Sequence, residues 1–176
     1  CVGKTWCRFG TQDSTSMGID LERMTWGSWT PHKFKLAVSG CPRNCAEATC
    51  KDIGVVCVDS GYEISVAGAA GMDVKETEFL IKATTEDEVA EIVAAFVHLY
   101  RETSRYLHRI YKWVAKVGLD WCKAQVVDDP ANRKALYERF MISQSVYRID
   151  PWAEHAKPAE WAKWAPLADL TLEAAE

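Results

Sequence analysis

Four of the seven cysteines form two pairs with short, regular spacing, Cys1 and Cys7 as C-x5-C and Cys41 and Cys45 as C-x3-C. Two loops that each carry two thiolates can supply the four corners of a cubane iron–sulfur cluster. Structural zinc is an alternative, because C-x3-C suits a zinc knuckle although C-x5-C is loose for one. Unligated thiols are a third interpretation, since free cysteine is often a small, buried core residue.

The elements that position these pairs can be predicted from side-chain periodicity. Apolar residues recur at intervals of three and four within residues 13–25, which predicts a helix between the two pairs. Residues 33–40 alternate apolar and polar side chains, which predicts a strand that ends directly before Cys41. Residues 42–50, which include Cys45, are predicted to form a short helix.

A β-hairpin is predicted after the second pair. The apolar segments 52–59 and 62–68 are separated by a short turn that contains serine and glycine. A glycine-containing bend at residues 68–72 is expected to close the hairpin, and a further strand is predicted at residues 78–83.

The second half of the chain is predicted to be helical. Apolar residues at helical spacing begin after Thr85 and continue to Val114, which predicts one long helix that ends at Gly118. Another helix is predicted from Asp129 to about residue 145, and the tryptophan-rich tail is interpreted as an extension that wraps the domain or docks on a neighbour. Strands early and helices late indicate the α+β class, with a small mixed or antiparallel sheet flanked by helices.

Composition excludes several classes of function. The 176 residues carry a formal net charge of −4, which argues against a nucleic-acid partner. No apolar run approaches the roughly 20 residues that span a membrane, and no signal-peptide pattern is present, so we expect a cytoplasmic protein without a membrane partner. An odd number of cysteines argues against a disulfide framework. Because the chain begins at Cys1 rather than methionine, we expect a domain cut from a longer polypeptide.

The cysteine pairs and their neighbours resemble the signature of sirohaem-containing nitrite and sulfite reductases. The pattern is C-x5-C followed by S-G-C-x3-C-x6-D-I-G-V, carried by Cys1, Cys7, Ser39, Gly40, Cys41, Cys45, Asp52, Ile53, Gly54 and Val55. The stretches TWCRFG, HKFKLAVSGC, KDIGV and GAAGM narrow the resemblance to the large subunit of assimilatory NAD(P)H-dependent nitrite reductases. The resemblance is most specific within residues 1–72.

The resemblance implies a set of cofactor ligands. Cys1, Cys7, Cys41 and Cys45 would hold a [4Fe–4S] cluster, with Cys45 also bridging to the sirohaem iron as its axial ligand, and no other catalytic residue is expected in this chain. Sirohaem is rich in carboxylates, so basic side chains and free N–H groups near the cysteines are candidates to bind it; each basic one alone is also compatible with a solvated surface charge. These candidates are Lys4, Arg8, Lys33, Lys35, Arg43, Asn44, Gly68 and Gly71. Cys50, Cys57 and Cys122 are expected to be structural.

The resemblance also implies an activity and an organisation. Residues 1–120 would form the sirohaem and [4Fe–4S] half-domain, and residues 121–176 a helical extension that packs on it. The function would be six-electron reduction of nitrite to ammonia in nitrate assimilation, with the alternatives of a sulfite reductase half-domain or an electron-transfer [4Fe–4S] module without haem. FAD and NAD(P)H would bind to upstream modules of the same polypeptide, and a small nitrite reductase subunit is a further expected partner. The isolated chain is expected to be inactive.

Overall fold

A computed structural model of the chain describes residues 1–147. Its α-helices are, in chain order, α1 (Gly3–Trp6), α2 (Ser14–Thr25), α3 (Glu86–Thr103), α4 (Ile110–Val117), α5 (Leu119–Val126) and α6 (Pro130–Tyr147). Its strands are β1 (Leu36–Ser39), β2 (Ile53–Val58), β3 (Gly61–Val66), β4 (Ala69–Ala70), β5 (Val74–Lys75) and β6 (Glu78–Ala83). Among these residues, no helix is long and apolar enough to cross a membrane.

The main sheet has four strands in the order β1-β2-β3-β6. β1 runs parallel to β2, whereas β2, β3 and β6 are antiparallel neighbours. β4 and β5 form a separate two-stranded ribbon. The α+β class and the small mixed sheet flanked by helices, both predicted from the sequence, are therefore confirmed.

The core lies between this sheet and the helices. Val55 of β2 and Ile64 of β3 are opposite each other in the ladder, and both are fully buried. Every residue of α3 from 92 to 100 is buried, because that helix packs on the sheet and on α6. Trp113 of α4 packs edge-on against Phe96, with 5.7 Å between ring centroids. Burial of each large apolar side chain contributes about 1.5–3 kcal/mol.

Several predicted elements are confirmed. Residues 13–25 contain α2, whose N-cap Asp13 accepts hydrogen bonds from two backbone N–H groups of the first turn. β2 and β3 form the predicted hairpin, β6 has the predicted bounds of 78–83, and α6 begins at the predicted proline. The predicted tail lies outside the described residues.

The prediction of a single long helix that ends at Gly118 is wrong, because the helix is interrupted in the middle. α3 ends at Thr103, and a loop precedes α4. Leu107 in that loop adopts a left-handed φ of 63° and donates its N–H to the carbonyl of Pro31 at 2.8 Å. This tertiary bond and the side-chain contacts of Arg109 replace helical continuation. Gly118 does cap α4, with a φ of 89°.

Three further predictions are corrected. The strand predicted at 33–40 is only Leu36–Ser39, because the N–H of Lys35 donates to the side chain of Asp52 instead of the ladder. The helix predicted at 42–50 is a succession of turns that ends in a single 3-10 turn at Ala48–Cys50. The bend at 68–72 does not close the hairpin but begins the β4–β5 ribbon.

Candidate metal centre

The first cysteine pair lies on a tight N-terminal loop built around α1. Cys7 caps α1, and its N–H donates to the carbonyl of Gly3 at 3.0 Å. The Cys7 carbonyl accepts from the N–H of Gly10 at 2.9 Å, and the N–H of Lys4 donates to Gln12 at 3.1 Å. Backbone hydrogen bonds therefore fold residues 1–12 into a closed loop that carries both thiols.

The second pair lies on three successive turns that leave the end of β1. The turns are closed by hydrogen bonds from Asn44 N to Cys41 O (3.1 Å), from Glu47 N to Asn44 O (2.9 Å) and from Cys50 N to Glu47 O (3.2 Å). Asn44 and Glu47 both adopt left-handed φ values, 54° and 56°. Cys41 is buried under these turns, whereas Cys45 is exposed.

The side chain of Asn44 stabilises this second loop through three hydrogen bonds. Its Oδ1 accepts from the N–H of Ala48 at 2.7 Å and from the hydroxyl of Ser39 at 3.1 Å. Its Nδ2 donates to Thr49 Oγ1 at 2.8 Å. The amide that the sequence suggested as a donor to sirohaem is thus engaged within the loop. Asparagine also tolerates the left-handed backbone better than most residues.

Gly40 joins the two cysteine loops. Its N–H donates to Cys1 Sγ at 3.3 Å, and its carbonyl accepts from Thr11 N at 2.7 Å and Thr11 Oγ1 at 3.0 Å. A β-carbon on Gly40 would lie 3.0 Å from the α-carbon of Gly3 and 3.4 Å from Cys1 Sγ. Cys1 therefore packs beside the residue that immediately precedes Cys41, so the fold brings the sequence-distant pairs together.

A buried ion pair fixes the far end of the second loop. Arg109, the N-cap residue of α4, donates from Nη2 to both carboxylate oxygens of Asp52 at 2.9 Å. Asp52 is fully buried, and that burial raises the pKa of its carboxyl, opposed by the hydrogen bonds from Arg109 and from Lys35 N. Asp52 belongs to the recognised signature, but its partner carried no sequence signal, and neither residue was assigned this role.

The predicted basic residues fall into two groups. Arg8 and Arg43 come together, with their guanidinium carbons 4.6 Å and 3.8 Å from the ring centroid of Phe9. Lys4, Lys33 and Lys35 are exposed, and the structure records no side-chain contact that joins them to either arginine. Phe9 is a further candidate that the sequence did not single out.

The two predicted glycines differ in their surroundings. Gly68 is buried and its N–H already donates to the carbonyl of Lys51 at 2.9 Å, so that group is not available to a ligand. Gly71 is exposed at the tip of the β4–β5 ribbon, and apart from its chain neighbours no atom of residues 1–147 lies within 4 Å of where a β-carbon would be.

The remaining cysteines lie apart from this arrangement. Burial raises the pKa of Cys57 to about 11 and that of Cys122 to about 12, which keeps both thiols protonated and unreactive. Cys50 is partly buried, and its thiol donates to the carbonyl of Glu47 at 3.2 Å. All seven thiols are free. Within residues 1–147, no three His, Cys, Asp or Glu side chains converge closely enough for a single metal ion; a cubane cluster holds its thiolates farther apart, at separate corners.

Comparison with protein families gives one match over most of the chain. The model described as nitrite and sulphite reductase 4Fe-4S domain matches residues 1–135. The nitrite reductase [NAD(P)H] of Bacillus subtilis is 44% identical over 163 residues, which cover 93% of this chain and 20% of that protein. The nitrite reductase (NADH) large subunit of Escherichia coli is 34% identical over 156 residues, covering 88% and 18%.

A sulfite reductase is also similar in sequence. The assimilatory-type sulfite reductase of Nitratidesulfovibrio vulgaris is 32% identical over 127 residues, which cover 72% of this chain and 58% of that protein. The chain spans about a fifth of the length of the two nitrite reductases.

Two solved structures share the fold. Dissimilatory sulfite reductase I aligns with a TM-score of 0.63 at 16% identity, covering 69% of this chain and 49% of that one. The NirA protein of Mycobacterium tuberculosis aligns with a TM-score of 0.57 at 21% identity, covering 69% and 25%.

Proposed function

This chain belongs to the nitrite and sulphite reductase 4Fe-4S domain family, and we propose that Cys1, Cys7, Cys41 and Cys45 are the ligands of a [4Fe–4S] cluster in it. The observation that carries the proposal is the hydrogen bond from Gly40 N to Cys1 Sγ, which seats the first cysteine loop against the start of the second.

The donor chemistry of the two loops fits such a cluster. Thiolates are the ligands that four-iron clusters require, and all four thiols are free. Cys1 and Cys45 are exposed, Cys7 is partly exposed and Cys41 is buried, so the thiols present sulfur at the surface as well as beneath the turns. Backbone N–H donors beside sulfur, such as Gly40 N, stabilise added negative charge on the cluster and raise its reduction potential.

Sirohaem would bind beside the same loops, with Cys45 as the bridging axial ligand. The exposure of Cys45 supports this role, because a bridging thiolate must be reachable from outside the chain. When bound, sirohaem supplies the open iron site at which the substrate anion is reduced. Arg8 and Arg43 would orient its carboxylates, with Lys4, Lys33 and Lys35 as further cations at the surface and Gly71 offering an exposed backbone N–H.

Not every predicted sirohaem contact is retained in this proposal. We assign Asn44 and Gly68 to the support of the second cysteine loop, since Nδ2 of Asn44 donates to Thr49 and the N–H of Gly68 donates to Lys51. Their effect on the cofactor would be indirect, through the position of Cys41 and Cys45.

The whole protein would reduce nitrite to ammonia with six electrons in nitrate assimilation in the cytoplasm. The relatives from Bacillus subtilis and Escherichia coli are both nitrite reductases, which supports nitrite as the substrate, and the chain spans only about a fifth of their length. The remaining length would hold the FAD and NAD(P)H modules upstream in the same polypeptide, and a small subunit would be a separate partner.

Within this chain, residues 1–120 would bind the cofactors, and residues 121–176 would be the helical extension that packs on residues 1–120. In support, Leu136 and Phe140 of α6 join the core.

Sulfite is the second candidate substrate. This chain covers 58% of the length of the assimilatory-type sulfite reductase but 20% of the Bacillus subtilis nitrite reductase. The larger coverage favours keeping sulfite as a candidate. Both reactions use the same cofactor pair, so the cysteine loops alone do not distinguish them.

The proposal is tested by anaerobic reconstitution of the chain with iron, sulfide and sirohaem. We expect haem absorption bands and about five irons per chain, four from the cluster and one from sirohaem. About four irons without haem bands would support the cluster but leave an electron-transfer module as the function. Zinc binding without iron uptake would overturn the proposal in favour of a structural zinc site. Nitrite and sulfite are then compared as electron acceptors for the whole reductase.

A further inference from the structure

Phe9 links the two cysteine loops through two arginines. Phe9 follows Cys7 by two positions, whereas Arg43 lies midway between Cys41 and Cys45. The guanidinium carbon of Arg43 lies 3.8 Å from the centroid of the Phe9 ring, and that of Arg8 lies 4.6 Å from it. These are favourable distances for cation–π attraction.

Placing the guanidinium groups of Arg8 and Arg43 close together is electrostatically favourable only if negative charge lies nearby. Two cations held at one ring repel each other. Among residues 1–147, no carboxylate forms an ion pair with either arginine. Four thiolates around a four-iron cluster carry a net negative charge, and both arginines are sequence neighbours of proposed ligands. Stacking occupies the face of a guanidinium but leaves its in-plane N–H donors free.

We propose that Phe9 is a positioning residue that holds the two cysteine loops together and fixes Arg8 and Arg43 beside the cluster. This inference rests on the proposed function for its cluster. We call the contacts of Phe9 with Arg8 and Arg43 the latch between the two loops. The latch is a property of the protein structure alone, so it applies to the cluster-free chain as well. These contacts of Phe9 act in addition to the backbone contacts of Gly40, which also join the two loops.

The exposure of Phe9 supports a role other than core packing. Its side chain is 41% exposed, so apolar burial alone does not explain its position on a charged loop. Trp6, three residues earlier on the same loop, is 82% exposed and makes no ring or cation–π contact within the described residues 1–147. Trp6 therefore provides a matched control for loss of an exposed aromatic side chain.

The first test uses hydrogen exchange in the cluster-free chain. In F9A, the N–H groups of Gly10 and Thr11, which bond to Cys7 and Gly40, should exchange about tenfold faster than in the wild type, since two exposed cation–π contacts are lost. F9Y should restore the wild-type rate because it keeps the ring, and W6A should leave it unchanged. Equal exchange in F9A and wild type would overturn the latch.

The second test uses the reconstituted chain. F9A and R43M should release iron to a chelator about tenfold faster than wild type or F9Y. R43M should also lower the midpoint potential of the cluster, because a positive charge that favours the reduced form is removed. Unchanged release and potential in R43M would refute the placement of Arg43 beside the cluster.

The two proposals can fail separately. If wild-type chain takes up no iron, the cluster assignment fails, while the exchange measurement still decides whether Phe9 latches the loops. If wild type takes up about four irons and F9A behaves like W6A in both tests, the cluster stands and the role of Phe9 is refuted.

Discussion

Arg109 Nη2 lies 2.9 Å from both carboxylate oxygens of Asp52, and this buried contact joins the N-terminus of α4 to the end of the second cysteine loop. Asp52 also accepts from the N–H of Lys35 at 2.9 Å, so the same carboxylate ties down the residue that precedes β1. One side chain thus fixes the chain on both sides of the segment that carries Cys41 and Cys45. The proposed ligand geometry depends on this support from outside the loop.

Loss of Arg109 should destabilise the fold strongly. R109M leaves the buried Asp52 carboxylate without its charged partner, which we expect to lower the free energy of unfolding by about 3–5 kcal/mol in urea titrations. The control is K112M, which breaks the surface pair between Lys112 and Asp73, two side chains that are 54% and 63% exposed. That change should cost at most about 1 kcal/mol. Similar losses in both variants would contradict the proposed importance of the buried pair.

Gly54 should not tolerate even a methyl group. A β-carbon there would lie 2.1 Å from the carbonyl oxygen of Ala48, so G54A must displace the 3-10 turn that follows Cys45. We expect a loss of at least about 2 kcal/mol in unfolding free energy. G71A is the matched control, because its β-carbon would meet no described residue other than its chain neighbours within 4 Å. A neutral G54A would show that the loop is not packed as described.

Asn44 should matter through both its backbone and its side chain. N44A loses three side-chain hydrogen bonds and places alanine at a left-handed φ of 54°, and we expect a loss of about 2–4 kcal/mol. N44G loses the same bonds but accepts this φ readily, so it should be less destabilised by about 1 kcal/mol. Thermal unfolding of the two variants measures the difference. If N44G is the less stable of the pair, the left-handed backbone is not what selects asparagine there.

Stability should fall on mild acidification because of His98. Burial lowers the pKa of His98, whose Nε2 lies 2.9 Å from Glu102 Oε1 and whose buried Nδ1 has no hydrogen-bond partner among residues 1–147. Below about pH 6.5, the unfolded chain therefore binds a proton that folded His98 resists, and unfolding becomes more favourable.

Urea titrations between pH 7 and pH 5 measure this effect, and H98Q should reduce the slope of unfolding free energy against pH. Hydrogen bonding from Arg139 lowers the pKa of Glu102, and the stability that this carboxylate contributes is lost only at lower pH, around and below about 4.3. An H98Q slope equal to that of wild type would contradict the role of His98.

Local pattern predicted most of the elements. The helix α2, the β2–β3 hairpin, β6 and the start of α6 follow from periodicity and turn residues, which act over a few positions. The break between α3 and α4 could not be predicted in this way. It depends on long-range contacts, Leu107 with Pro31 and Arg109 with Asp52, that have no local signal.

The same distinction applies to the candidate site. Cysteine spacing identified four cysteines as candidate ligands, because residue type and spacing are local properties. The sequence does not show that an amide N–H of Asn44 bonds to Thr49 or that the N–H of Gly68 bonds to Lys51 in the folded loop, and the sirohaem contacts of both residues stay predictions. Phe9 was missed because an exposed aromatic side chain in a sequence does not show which cations lie over it.

We propose that Cys1, Cys7, Cys41 and Cys45, and not the other three cysteines, hold a [4Fe–4S] cluster. The most direct test is the iron and sulfide content of single cysteine-to-serine variants after anaerobic reconstitution, with C50S as the control because Cys50 lies five positions past Cys45 and is partly exposed. Wild type and C50S should contain about four irons and about four sulfides per chain, and each of C1S, C7S, C41S and C45S should contain markedly less. Full iron in C45S together with loss of iron in C50S would contradict the assignment.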